Sequence, residues 1–291
     1  MIKAPIPAQR AYIGNISDST RWNDFQPRVG DIVVNTPPKA GTTWTQSILA
    51  LLISGDPLVD AQTAMKSPWI DIHVREIAEV IARLEAQDHR RHVKSHTPFD
   101  GLPIWSELRY IAVYRHPIDI HFSYRSHVRN MNRDIEGALM PEDLAESFAI
   151  FVEGDHDDAA SLWSIINHYR NTLALEPREN LIRLHYADMT RDLDGAVARI
   201  AEHVGISHPP ELMAQLVDAA RFDSMKANAH RFTPSAGQNF WQKDAGFFDS
   251  ATSNKWEGKL SEAQLAAYDA RISSLLGDSE RLWLEWGTGP D

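Results

Sequence analysis

Two apolar patterns alternate along the chain. Asp31-Ile-Val-Val-Asn35, His92 to Lys94, Tyr110 to Tyr114 and Leu181 to Tyr186 are compact apolar runs of strand length. Between them, residues 43–54, 74–84 and 196–204 carry apolar positions at helical spacing, and residues 260–286 repeat that spacing. The last stretch predicts one or two packing helices with Trp283 and Trp286 as core anchors. Strands alternating with helices predict an α/β fold: three layers, with a mainly parallel β-sheet covered by helices on both faces. Ligands in such sheets bind beyond the carboxyl ends of the strands. Residues 125–160 differ, being polar, rich in Asp and His and without a clean strand. They are expected to form helices and loops that cover one side of a site.

Composition narrows the classes. No linker, repeat or low-complexity tract divides the 291 residues, so residues 1–291 are expected to form a single domain. The net charge of −11 repels a nucleic-acid backbone and excludes a polyanion partner, while a small anion can still bind where a few cations and amides converge. The absence of cysteine excludes disulfides, iron–sulfur clusters and thiol catalysis. Residues 1–10 hold no apolar run of signal-peptide length, and the longest apolar stretch, Ile48 to Ile53, is far shorter than the roughly 20 residues that cross a bilayer. A soluble, cytoplasmic protein without a membrane span is the expectation.

Three strand ends carry chemistry. After the first comes Asn35-Thr36-Pro37-Pro38-Lys39-Ala40-Gly41-Thr42-Thr43-Trp44. The prolines stiffen the entry, Gly41 admits a close backbone approach, and the amides up to Thr43 lead into the positive end of a helix. These features fit an anion site, and equally a plain strand-to-helix turn in which Thr42 and Thr43 merely cap. The loop is not of the G-x-x-x-x-G-K-[ST] type, because Lys39 precedes the glycine. A kinase reading thereby loses its main support. The second end reads Val93-Lys94-Ser95-His96-Thr97-Pro98, and the third Val113-Tyr114-Arg115-His116-Pro117-Ile118-Asp119 with Ser123 a turn beyond. Taken alone, His96 fits a structural histidine, and Arg115 fits an ion pair with Asp119.

Together these motifs resemble the PAPS-dependent cytosolic sulfotransferases, where PAPS is 3′-phosphoadenosine 5′-phosphosulfate. The P-K-x-G-T-T-W order is similar to that family's phosphosulfate loop, the second end to its K-[ST]-H element and the third to its R-x-P-x-D-x-x-x-S segment. The resemblance implies that Lys39 contacts the bridging oxygen of the donor, that Pro38, Ala40, Gly41, Thr42 and Thr43 hold the phosphosulfate, and that Trp44 packs against adenine. It implies His96 as the base, Lys94 as a second cation near the sulfuryl group, and Arg115 with Ser123 on the 3′-phosphate. Leu184-His185-Tyr186-Ala187-Asp188-Met189 and Phe222-Asp223-Ser224-Met225-Lys226 look like two further family elements and place Tyr186 and Phe222 at the adenine. Ser67-Pro-Trp-Ile-Asp71 and residues 89–96 resemble bacterial sulfotransferases named for glycolipids.

One segment departs from the pattern. Where the family has R-K-G-x-x-G-x-W, this chain has Asp249-Ser250-Ala251-Thr252-Ser253-Asn254-Lys255-Trp256. An acid in place of the arginine repels a phosphate, with Lys243 and Lys255 as compensating candidates. Residues 240–259 are expected to cover the donor. The resemblance thus implies transfer of a sulfuryl group from PAPS, leaving PAP, to a hydroxyl or amine of a small acceptor, with no metal required. The aromatic positions Trp22, Trp69 and Trp163 fit an apolar or aromatic acceptor, and equally fit structural tryptophans. The alternatives are a nucleotide-binding relative with altered or lost catalysis, and a small-molecule kinase. The family's dimerisation motif is not recognisable, which leaves the oligomeric state open.

Overall fold

The computed structural model describes residues 2–73, 75–132, 140–156, 161–248 and 253–289. Four strands, β1 (Ile32–Asn35), β2 (His92–Ser95), β3 (Arg109–Tyr114) and β4 (Leu181–His185), form a sheet in the order β2-β1-β3-β4. Every neighbour is parallel, with Val33 opposite Val93 and Tyr110, and Ile111 opposite Ile182. The α/β expectation holds. The fourth run is one residue shorter than its sequence pattern, because His185 caps a helix that starts at Tyr186.

The middle of the sheet, Ile32–Val34 and Tyr110–Tyr114, is continuously apolar because both of its faces are covered. Val33, Tyr110, Ala112 and Tyr114 belong to one buried cluster, and Ile32, Val34, Ile111 and Val113 to the other, as the two-residue period of a strand requires. Helix α1 (Thr42–Ser54) lies on the second face, followed by the single turn α2 (Thr63–Lys66) and by α3 (Ile77–Glu85), which packs Val80 and Leu84 on the first. Val74, where the sequence pattern began this helix, lies outside the described residues. The first face also takes α4 (Pro117–Arg129), α5 (Leu144–Glu153) and α6 (Leu162–Leu173). The second takes α7 (Tyr186–Arg191), α8 (Leu193–Val204), α9 (Pro210–Ala220), α10 (Phe222–Ala227) and α11 (Ala229–Phe232).

The C-terminal pattern resolves into two helices, α12 (Glu262–Leu275) and α13 (Asp278–Trp286), broken between Leu275 and Asp278. Trp283 is the expected anchor, stacked on Tyr169 with ring centroids 5.6 Å apart. Trp286 is not: at the last position of its helix it stays 38% exposed.

Sheet order locates the site. From β1 the chain crosses to β2 on one side, then passes back over β1 to β3 on the other. The loops leaving β1 and β3 therefore diverge, one into α1 and the other into α4, on opposite faces. A crevice at such a reversal of strand order is where open α/β sheets bind ligands.

Candidate functional site

A cleft of about 1330 Å³ opens at these strand ends. Of the thirteen site residues read from the sequence, it is lined by all but Ala40, which is fully buried beneath the loop.

The loop after β1 is bent by Lys39 at φ 65° and Gly41 at φ 120°. Gly41 has a double reason to be glycine, since a Cβ there would also meet the Tyr186 ring at 3.2 Å and Val113 at 3.4 Å. Gly41→Ala is expected to lower the unfolding free energy by about 1–3 kcal/mol, the cost of a strained left-handed residue, read from a urea unfolding curve. Gly41, and neither threonine, is the N-cap of α1. The expected threonine cap is absent because the Thr42 hydroxyl pairs instead with the Thr36 hydroxyl at 2.6 Å, tying the two ends of the loop together. The first-turn amides of α1 have no partner within the helix and form, with its dipole, a ready anion site.

Lys39 reaches across the cleft to α4, where its Nζ lies 2.9 Å from His127 Nδ1 and 4.9 Å from the Phe247 ring centroid. His127 also packs edge-on against Trp241 at 4.9 Å. Burial first, then Lys39 and Lys94, hold His127 well below the usual histidine range, so the neutral ring accepts a hydrogen bond from the Lys39 ammonium. Sequence reading missed His127, although it stands four residues after Ser123 and so shares its helix face.

At the end of β2, His96 Nδ1 is 2.6 Å from the Thr36 carbonyl oxygen. A carbonyl only accepts, so Nδ1 carries the proton and Nε2 keeps its lone pair. Burial, Lys94 and the other nearby cationic groups push the His96 pKa well below 6.5, which keeps the ring neutral. Lys94 Nζ sits 4.4 Å above the Trp69 ring. Burial lowers its pKa to about 8 even though Asp71 opposes the shift. His168, also unforeseen, lines the cleft on α6 with Nδ1 2.7 Å from the Tyr114 hydroxyl and Nε2 3.1 Å from Asn35 Oδ1.

Arg115, at the end of β3, combines both readings open in the sequence. Its Nε lies 3.8 Å from Asp119 Oδ2, and its guanidinium sits 4.2 Å over the Tyr186 ring while lining the cleft. Asp119 is fully buried and also accepts the Asn254 and Lys255 amides at 3.1 and 3.2 Å. Burial raises its pKa and Arg115 opposes that rise. The late segment is thus fastened to the start of α4, and Lys255 lines the cleft whereas Lys243 does not. Asp249 and residues 250–252 lie outside the described residues. Beside Arg115, Trp44 meets Tyr186 edge-on at 5.4 Å and donates its Nε1–H to the Ala220 carbonyl at 2.8 Å, with Phe222 completing a flat aromatic corner.

Apolar side chains, Ile16, Ile72, Val80, Val128, Met131 and Phe240, also line the cleft. Of the three tryptophans expected here, only Trp69 lines the cleft. Trp22 is buried against Phe25, and Trp163 packs on the core cluster of the first face. Residues 133–139 and 157–160 of the expected cover lie outside the described residues.

The sulfotransferase domain family model matches residues 29–280 of the chain. A glycolipid sulfotransferase from Mycobacterium bovis is 30% identical, covering 97% of this chain and 96% of its own length. Sulfotransferase 1A1 from Rattus norvegicus is 24% identical over 92% of this chain and 90% of its own. Among solved structures, mouse sulfotransferase SULT7A1 complexed with PAP superposes with a TM-score of 0.71 at 19% identity, over 90% of this chain and 91% of that one. Retinol dehydratase in a complex with retinol and PAP gives 0.74 at 17% identity, over 95% and 93%.

Proposed function

The chain belongs to the sulfotransferase family, and on that premise we propose that it transfers the sulfuryl group of PAPS to a hydroxyl or amine of a small apolar or aromatic acceptor. One observation carries the reading: Lys39, Lys94 and His96, from the ends of two adjacent strands, line a single cleft together with Trp44, Tyr186, Phe222, the buried Arg115 and a set of apolar side chains. The corner of Trp44, Tyr186 and Phe222 suits an adenine, and Arg115 with Ser123 suits its 3′-phosphate through the planar fork of a guanidinium.

In the proposed step the acceptor heteroatom attacks sulfur in line, the bond between sulfur and the bridging oxygen breaks, and that oxygen leaves on PAP with the electron pair. His96 Nε2 takes the acceptor's proton. Lys39 exchanges His127 for the leaving oxygen, and Lys94 offsets charge on the sulfuryl oxygens. The apolar lining, and the glycolipid for which the Mycobacterium relatives are named, support acceptors with an apolar body, including glycolipids.

A screen of phenols, sterols, amines and glycolipids with PAPS, read by mass spectrometry, tests the activity. Calorimetry with PAP against ATP tests the donor, with tighter binding of PAP expected. PAP binding with no sulfated product from any class would favour the nucleotide-binding alternative. That alternative rests on Asp249, whose charge is expected to weaken PAP binding relative to a relative with the full basic segment.

The lowered Lys94 pKa gives a pH signature. As pH rises through about 8, Lys94 loses its proton and the cleft loses a cation, so turnover is expected to fall on that alkaline limb. Lys94→Met is expected to be slower at neutral pH and to lack the limb. An unchanged limb in the variant would show that another group titrates there.

A further inference from the structure

The segment before α3 packs against Lys94 of β2 and His96 just after it. The Lys94 amide donates to the Pro68 carbonyl at 3.0 Å, and the Ile70 amide to the Lys94 carbonyl at 3.2 Å, so residues 68–70 run as an added parallel edge beside β2. From this edge Trp69 touches both partners, lying under the Lys94 ammonium and meeting the His96 ring edge-on at 4.7 Å. Two residues on, Asp71 is fully buried. Its Oδ2 accepts the Ser95 hydroxyl at 2.8 Å and also the Thr97 hydroxyl. The Ser95 oxygen in turn accepts the Thr97 amide at 3.0 Å. The residues immediately before and after His96 are therefore pinned to one carboxylate oxygen.

The Asp71 backbone is held independently. Its carbonyl accepts the Asp18 amide at 2.7 Å, and α1 grips Ser67 through Gln46 Nε2, 2.9 Å from the Ser67 carbonyl oxygen. Both hydroxyls beside the proposed base go to Oδ2 of this buried carboxylate, whereas its Oδ1 has no hydrogen-bond partner among the described residues. Nothing in the proposed transfer step uses Asp71 directly.

We infer that Asp71 is a positioning residue, which through Ser95 and Thr97 fixes the backbone on either side of His96 and so holds its Nδ1 on the Thr36 carbonyl and its Nε2 in place for the acceptor. The inference rests on the reading of His96 as the base, but its geometric half can be read without any acceptor.

Three variants test it: Asp71→Ala, which removes the anchor; Asp71→Asn, whose amide oxygen still accepts the two hydroxyls; and Thr97→Val, which keeps Asp71 and cuts one link. Turnover with PAPS and 2-naphthol is measured beside PAP affinity and the imidazole ¹⁵N spectrum, with His96→Ala assigning the His96 signals. Asp71→Ala is expected to lower kcat on the order of 10- to 100-fold, the scale of a misplacement of about 1 Å. The acceptor KM and the PAP Kd should stay within about 2-fold, and the His96 nitrogens should move from one tautomer toward a mixture. Asp71→Asn should recover most of the kcat, and Thr97→Val should fall between. An Asp71→Ala protein with unchanged kcat and tautomer overturns the inference. So does a loss of PAP affinity in step with kcat, which marks a general disruption, or an Asp71→Asn no better than Asp71→Ala. If His96→Ala itself keeps its turnover, the base reading fails while the tautomer comparison still decides whether Asp71 positions the ring.

Discussion

Replacing His96 by alanine is expected to lower turnover from PAPS by about 10²- to 10⁴-fold, the range general-base catalysis contributes, with PAP affinity nearly unchanged. The asymmetry follows from where the ring is tied. His96 Nδ1 is spent on the Thr36 carbonyl, and the ring packs against Trp69, outside the corner of Trp44, Tyr186 and Phe222 that is read as the nucleotide's place. Burial, Lys94 and Lys39 all hold the imidazole neutral, so its capacity to accept a proton should persist across the neutral range and well below it. A rate that holds up at pH 6 is therefore expected, where a histidine of ordinary pKa would already be losing its base form. A His96→Ala protein that sulfates a verified acceptor at near-normal rate would remove the base assignment.

Loss of Arg115 is expected to have the second large effect, on donor binding and on the fold together. Arg115→Met removes the guanidinium from the aromatic corner and leaves Asp119, fully buried, without its cation. Breaking a buried pair from one side costs about 3–5 kcal/mol, to be read in urea unfolding. PAP affinity should fall roughly 10- to 100-fold, the equivalent of about 1.5–3 kcal/mol for hydrogen bonds to a charged group, whereas affinity for adenosine 5′-phosphate should change little. The double variant Arg115→Met with Asp119→Asn separates the two effects, restoring stability without restoring PAP binding. Equal losses for both nucleotides would mean that Arg115 serves the structure and not the 3′-phosphate.

Asp119 shows why such a residue is hard to weigh from sequence. Its i,i+4 spacing from Arg115 is visible in the text and suggests a surface pair, worth little. Folded, it is a fully buried acceptor for the amides of Asn254 and Lys255, some 135 residues away. His127 and Asp71 are of the same kind. Each carries a residue type able to do chemistry, but what makes it matter is a partner from another element: Lys39 for His127, and Ser95 and Thr97 for Asp71. The tryptophans err the other way. Trp22, Trp69 and Trp163 look alike as residues, and only the path of the chain puts Trp69 in the cleft and the other two against the core.

What the sequence determined by itself is what short contiguous stretches encode. Short apolar runs bounded by polar and turn residues marked the strands, most plainly Ile32–Val34 and Tyr110–Tyr114, because a strand buried on both faces favours continuous apolar residues. The loop that joins β1 to α1 was legible as an anion site or a plain turn, and it was the resemblance of its residue order, and of the K-S-H and R-x-P segments, to the sulfotransferases that named Lys39, Gly41, Lys94, His96 and Arg115. Only the tertiary structure decided which strands are neighbours, where the crevice falls and what each side chain touches. Parallel strands pair across crossovers of dozens of residues, so no local pattern states the order β2-β1-β3-β4. Burial, which keeps His96 neutral and lets Lys94 release its proton more readily than an exposed lysine does, is likewise a property of the packed chain and of no single segment.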